Sequence, residues 1–139
     1  AGLGGHAEIG DHVIISGYAA VHQFVRIGHH AFLGGFAAVV GDVIPYGMAV
    51  GDRARLRGLN LVGLKRSGMP REDISALRKA YRMLFAEGAS LEENAAAVLR
   101  AYPDSELIGD VVAFVGAKDK RHFTLPARGK GAAEENETA

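Results

Sequence analysis

The chain has no cysteine in its 139 residues. That excludes disulfides, thiolate nucleophiles and thiolate metal sites, and it suits a reducing compartment, so the cytoplasm is the expected location. No apolar run is long enough to span a bilayer, so no membrane span is expected. No basic leader precedes an apolar segment, and nothing in the chain points to secretion. Charge of one sign is almost missing from the first 50 residues, where Arg26 is the only permanent cation. No acidic or cysteine cluster accompanies the histidines, so no metal site is expected.

What is present is a repeat. Leu3, Ile9, Ile15, Val21, Ile27, Leu33 and Val39 stand six apart. Four residues after each comes Ala7, Val13, Ala19, Val25, Ala31, Ala37 or Val43, and glycine follows the aliphatic at Gly4, Gly10, Gly28 and Gly34. A helix turns by about 240° over six residues and cannot keep such positions on one face. The period fits the hexapeptide unit of a parallel β-helix, one short strand and a turn, with the aliphatic pointing into a narrow core. The chain does not begin with Met, and its repeat is in register by residue 3. An uncovered terminal coil leaves its core and strand edges bare, so this is expected to be the C-terminal part of a longer protein.

The repeat decays after Val43, where Pro45-Tyr46-Gly47 breaks the rhythm, and one more unit at 48–50 closes the last coil. The expected organisation is mainly β with α. It comprises β-helix coils over 1–51, an irregular basic connection over 52–69, three helices over 70–116 and a mobile tail over 117–139. Pro70 suits a first helical position, Ser90 to Glu93 reads as a capping box, and the third helix starts near Asp104 and ends before Gly116. Ile74, Leu77, Tyr81, Leu84 and Phe85 form the stripe of the first helix.

Net charge is zero, yet residues 53 to 82 hold nine cations (Arg53, Arg55, Arg57, Lys65, Arg66, Arg71, Arg78, Lys79, Arg82) against Glu72 and Asp73. Such an excess attracts an anionic ligand or an acidic partner. Interleaved aromatics and nucleic-acid motifs are missing from it, so nucleic acid is not expected. Five of the six histidines, His6, His12, His22, His29 and His30, cluster in the repeat. His6, His12 and His30 share the fourth position of their units and point outward, and His12 and His30 lie one coil apart and stack. His12, His29 and His30 suit solvated or ladder roles better than metal ligation. His22 stands where other units place Gly or Ser, which marks a binding contact.

Gly4-Gly5-His6, Val21-His22-Gln23-Phe24 and Asn60-Leu61-Val62-Gly63-Leu64-Lys65-Arg66 occur in this order with the repeat and the helical tail. Together they resemble the C-terminal half of the UDP-N-acetylglucosamine acyltransferases that begin lipid A synthesis, over residues 1 to about 115. The resemblance implies a left-handed β-helix, a homotrimer and active sites between subunits. The implied reaction moves a 3-hydroxyacyl group from acyl carrier protein to the sugar 3-hydroxyl of UDP-N-acetylglucosamine, without a cofactor. It implies that His6 lines the sugar and acyl site and that the Gly5 N–H is the oxyanion donor. His22 and Gln23 would orient the nucleotide sugar, and Asn60 and Arg66 would contact UDP; a guanidinium pairs with diphosphate oxygens bidentately. Gly35 falls where acyl-chain length is set, with a turn that needs positive φ at Gly34 or Gly35 as the alternative. Arg78, Lys79 and Arg82 would receive the carrier's acidic helix, with an ordinary solvated face as the alternative.

The implied general base is a histidine about one coil before His6, ahead of Ala1, and no residue here takes that role. Val62 and Arg53 also stand where the family often has an acid and a histidine. Three readings follow. They are this acyltransferase, another hexapeptide transferase such as a later N-acyltransferase or a sugar acetyltransferase, and a trimerising or sugar-nucleotide-binding module without turnover.

Overall fold

The computed structural model describes residues 1–116 and 121–127. It opens with seven two-residue strands: β1 (Gly2–Leu3), β2 (Glu8–Ile9), β3 (Ile14–Ile15), β4 (Ala20–Val21), β5 (Arg26–Ile27), β6 (Phe32–Leu33) and β7 (Ala38–Val39). Partners are parallel and 18 residues apart, as in Leu3 with Val21, Ile9 with Ile27 and Ile15 with Leu33. Three hexapeptides therefore make one coil of a solenoid with three faces. The first face is β1-β4-β7, the second β2-β5 and the third β3-β6, which continues into β8 (Gly47–Val50) and the antiparallel β9 (Arg55–Leu59). Successive coils are joined by bonds such as Gly10 N–H to the Ile27 carbonyl at 2.8 Å and Ser16 N–H to that of Leu33 at 3.0 Å.

The inward aliphatics form the core, with Val21, Ile27, Leu33 and Val39 all buried. Where Gly4, Gly10 and Gly28 follow the aliphatic, the slot is tight. A Cβ on Gly4 or Gly28 would lie 2.4 Å from the backbone N of Gln23 or Pro45. Only hydrogen fits between coils there.

The corners between faces use the left-handed backbone region, and side chains other than glycine occupy it. His6, His12, Tyr18, Phe24, His30, Phe36 and Tyr46 have φ between 58° and 65°. For bulky residues this region is strained by roughly 1–3 kcal/mol. Two contacts offset the strain. The N–H groups of Phe24, His30, Phe36 and Tyr46 donate to the carbonyls of Gly5, Asp11, Gly17 and His29 in the coil before. The rings also stack in columns, His6 on Phe24 at 4.9 Å, Tyr18 on Phe36 at 5.0 Å, and His12 on His30 on Tyr46 at 4.8 and 5.2 Å. The turn expected to need positive φ at Gly34 or Gly35 takes it at Phe36 instead.

The third coil is shorter. Val43 pairs with Ile27, 16 residues away, and so occupies the inward slot that the six-residue count gave to a later residue. Two residues are missing from the first corner of this coil, between Val39 and Val43. The second corner is normal, and Ala49 regains the inward slot opposite Leu33.

Residues 52–69 are not irregular. They contain β9 and then α1 (Leu61–Arg66), with Leu56, Leu59, Leu61 and Leu64 buried and the arginines alternating outward. The helices α2 (Arg71–Leu84), α3 (Leu91–Ala101) and α4 (Glu106–Val115) follow, so the described residues hold four helices. In α3 both halves of the Ser90–Glu93 capping box form, at 3.1 Å each. In α4 the cap is Ser105 rather than Asp104. The helices bury Leu84, Val98 and Ile108 together and close the end of the solenoid over Ile44 and Leu59.

Residues 121–127, expected within a mobile tail, pack back on the solenoid; residues 117–120 and 128–139 lie outside the described residues. Phe123 bridges to Asp42 and Pro126 to Leu56 as short parallel pairs. The cause is a clamp on Asp42, which is 1% exposed. Its carboxylate accepts from Arg26 Nε at 2.8 Å and from Arg121 Nε at 2.9 Å. Burial pushes the Asp42 carboxyl up, but the hydrogen bonds from Arg121 and Arg26 outweigh it and hold the group below the usual carboxylate range. Arg26 also lies over the Phe114 ring, 4.1 Å from its centroid, and so ties α4 to the second face.

Candidate functional site

With α4 and residues 121–127 against the second face, the first and third faces remain open. A shallow pocket lies on each. The first-face pocket is lined by Gly4, Gly5, His22 and Gln23 at the first corner, by Ala20 and Ala38 on the strands, and by Val40 just after β7. The Gly5 carbonyl accepts from Phe24 N–H at 3.0 Å, while among the described residues its own N–H has no acceptor. A Cβ at Gly5 would meet nothing within 4 Å, so packing does not require glycine there. Its small size leaves the backbone N–H open to a ligand. His22 and Gln23 are exposed beside it. His6 shares the corner with its imidazole flat on Phe24, 2° from parallel, and is not among the lining residues.

The third-face pocket lies under α1. Its floor is the outward row Ile14, Phe32 and Met48, which stand in register across β3, β6 and β8. His12 and His30 border it, together with Asn60, Arg66 and Ser67. Asn60 is nearly buried and structurally committed. Its Oδ1 accepts from Gly63 N–H at 3.1 Å as the N-cap of α1, its Nδ2 donates to the His30 carbonyl at 3.2 Å, and its backbone N–H donates to the Tyr46 carbonyl at 2.7 Å. Asn60 therefore seats α1 on the second corner, and α1 ends at Arg66, which is exposed.

Gly5, His22 and Gln23 thus meet on one face and Asn60 and Arg66 on another. The two pockets share no residue. Gly35 belongs to neither. It lies exposed at the third corner, where a Cβ would make an ordinary 3.6 Å contact with the Gly17 carbonyl. On α2, Arg78 and Arg82 line a basic cleft with Lys65 and Arg71, and the buried Nε of Arg78 has no partner among the described residues. Lys79 is exposed and outside that lining.

Sequence reasoning missed His12 and His30 as pocket residues, because it treated the ladder as surface. It also missed Asp42. The signal was present, since Arg26 is the one permanent cation in the first 50 residues and needs a partner.

Three faces of short strands, six-residue units and open pockets on two of the faces define a hexapeptide-repeat protein with a helical end. A family model described as UDP-N-acetylglucosamine O-acyltransferase, domain 2, matches residues 42–124, more than half of the sequence. The chain belongs to that family. It is 50% identical over 110 residues to the acyl-[acyl-carrier-protein]–UDP-N-acetylglucosamine O-acyltransferase of Bartonella henselae, covering 79% of this chain and 40% of that protein. With the protein of the same name from Brucella anthropi it shares 56% over 108 residues, 78% of this chain and 39% of that one. The solved UDP-N-acetylglucosamine acyltransferase from Campylobacter jejuni superposes with a TM-score of 0.81 at 34% identity, over 90% of this chain and 48% of that structure. The chain spans about 40% of the length of these curated relatives.

Proposed function

We propose that this chain is the C-terminal part of an acyltransferase. The enzyme moves a 3-hydroxyacyl group from acyl carrier protein to the 3-hydroxyl of UDP-N-acetylglucosamine, the first step of lipid A biosynthesis, in the cytoplasm. The observation that carries this reading is the division of the site between two faces of one chain. A homotrimer of left-handed coils turns the first face of one subunit toward the third face of the next and completes the site. Gly5, His6, His22 and Gln23 then hold the sugar and the thioester, while Asn60 and Arg66 serve the nucleotide from the neighbour. This division also gives a reason for open faces beside a covered one.

In the reaction the sugar 3-hydroxyl attacks the thioester carbonyl. A C–O bond forms, the C–S bond breaks, and the proton passes through a base to the departing thiol of the carrier. The Gly5 N–H stabilises negative charge on the carbonyl oxygen. The basic cleft of Arg78 and Arg82, joined by Lys65 and Arg71 and flanked by Lys79, receives the acidic carrier. Gly35, with neither positive φ nor crowding to demand it, leaves the acyl groove open for a long chain. The domains are then the coils to residue 51, a connection that carries the nucleotide contacts, and a helical carrier-docking part.

No residue of the chain takes the general-base role. That favours a second reading for the 139 residues alone, a sugar-nucleotide-binding trimer without turnover. The test separates the two. The purified chain is expected to bind UDP-N-acetylglucosamine and to give negligible acyl transfer, while a chimera supplying the rest of a relative's length acylates the 3-hydroxyl. Robust transfer by the chain alone, or an inactive but folded trimeric chimera, would overturn this assignment.

A further inference from the structure

The second corner carries a group of side chains that the proposed chemistry does not use. His29 Nδ1 lies 2.7 Å from His30 Nδ1, and its Nε2 meets the Asp110 carboxylate on α4. Two ring nitrogens at that separation hold one proton between them, because two N–H donors would point at each other. His29 stands edge-on to both His30 and Tyr46, at 4.9 Å from each. The backbone of this corner carries the seat of α1. Tyr46 N–H donates to the His29 carbonyl at 3.0 Å, and Asn60 is bonded to the carbonyls of Tyr46 and His30 at 2.7 and 3.2 Å. From Asn60 the chain of contacts runs through its cap on Gly63 to Arg66.

We propose that His29 is a positioning residue for the third-face pocket: the proton it shares with His30 holds the corner that seats Asn60 and α1, and thereby aims Arg66. The benefit to a nucleotide rests on reading that pocket as the sugar-nucleotide site; the seating of α1 does not. The groups facing His30 are Asp11 and His12 from the coil before, His29 and Tyr46 at the corner, and Asp110 from α4 beyond His29, while Arg66 shares the lining of its pocket. Burial lowers the proton affinity of His30, and His29 and His12 lower it further against the opposing pull of Asp11. Neutral His30 is therefore the state that fits. With its Nε2–H given to Asp110, His29 accepts at Nδ1 from His30 Nδ1–H, and acidification protonates His30 at Nε2 and leaves the shared proton in place.

Two substitutions divide the two bonds of His29. Asparagine puts an amide where Nδ1 was and keeps the contact to His30; glutamine puts it where Nε2 was and keeps only Asp110. The measurements on the 139-residue chain are the amide resonances of Gly63 and Arg66 and the affinity for UDP. H29N, whose side-chain oxygen accepts from His30 Nδ1–H, is expected to keep both amides in place and to bind UDP as the unaltered chain does. H29Q is expected to displace both amides and to weaken UDP binding roughly fivefold, equivalent to about 1 kcal/mol. The proposal is overturned if H29Q behaves as the unaltered chain, or if H29N fails along with H29Q. If UDP does not bind the unaltered chain, the reading of the pocket as a nucleotide site falls, and the amide shifts of the two variants alone decide the positioning role.

Discussion

The first coil and the second have the same pattern and different fates. Leu3 and Ile9 are 55% and 36% exposed, whereas Val21 and Ile27, their partners one coil on, are 3% and 2% exposed. The residue types and register match, so the difference lies in neighbours alone. A hexapeptide sets where an aliphatic points, and the coils on either side decide whether it leaves water. In a solenoid, stability is therefore a property of contacts between repeats rather than of any one repeat.

The comparison breaks most sharply at the clamp that covers the far coils. Asp42→Ala takes the carboxylate away from two half-buried guanidinium groups and should cost about 3–5 kcal/mol in urea unfolding. It should also release residues 121–127, seen as faster amide exchange at Thr124. The Asp42 carboxyl is held below its ordinary value of 3.8, so its contribution is present above that pH and disappears as pH falls through the lower folded value. Asp42→Asn flattens this acid limb, and an unchanged limb would remove the clamp from the explanation.

A matched pair tests the coils directly. Leu33 is 0% exposed and Leu3 is 55% exposed. Leu33→Ala should cost about 2–5 kcal/mol and Leu3→Ala under about 1 kcal/mol. Equal costs would mean that Leu3 is covered in solution. The smallest contrast lies in the glycines. Gly28→Ala forces a Cβ to within 2.4 Å of the Pro45 backbone, and Gly17→Ala meets nothing within 4 Å. The expected costs are about 1–3 kcal/mol for the first and within about 0.5 kcal/mol for the second, read as shifts in unfolding midpoint at constant slope.

The inward row from Leu3 to Val39 and the stripe of α2 were legible because their contacts repeat locally. Three things were not. In β9 the alternation Arg55-Leu56-Arg57 spans three residues and was hidden by the basic composition around it. The motif at Asn60 was read for its chemistry, and its local function as the cap of α1 was overlooked. Residues 121–127 owe their place to Asp42, 79 positions before Arg121, and no local pattern carries such a partner. The site divided in the same way. His22 and Gln23 stood out as departures from the repeat, while the part of His30 appears only when Asn60 is seated on its carbonyl.

The two residues missing from the first corner of the third coil have a further meaning. A perfect repeat is translationally degenerate: every coil offers an incoming segment the same landing place, and a docked strand can slip by a whole unit. The shortened corner ends that symmetry once. The column of His6 and Phe24 stops there, and Arg121 fills the vacancy, donating to the Phe24 carbonyl at 2.6 Å while it binds Asp42. A phase slip in the repeat thus serves as an address, readable at one place along the axis, that tells the returning chain where to stop.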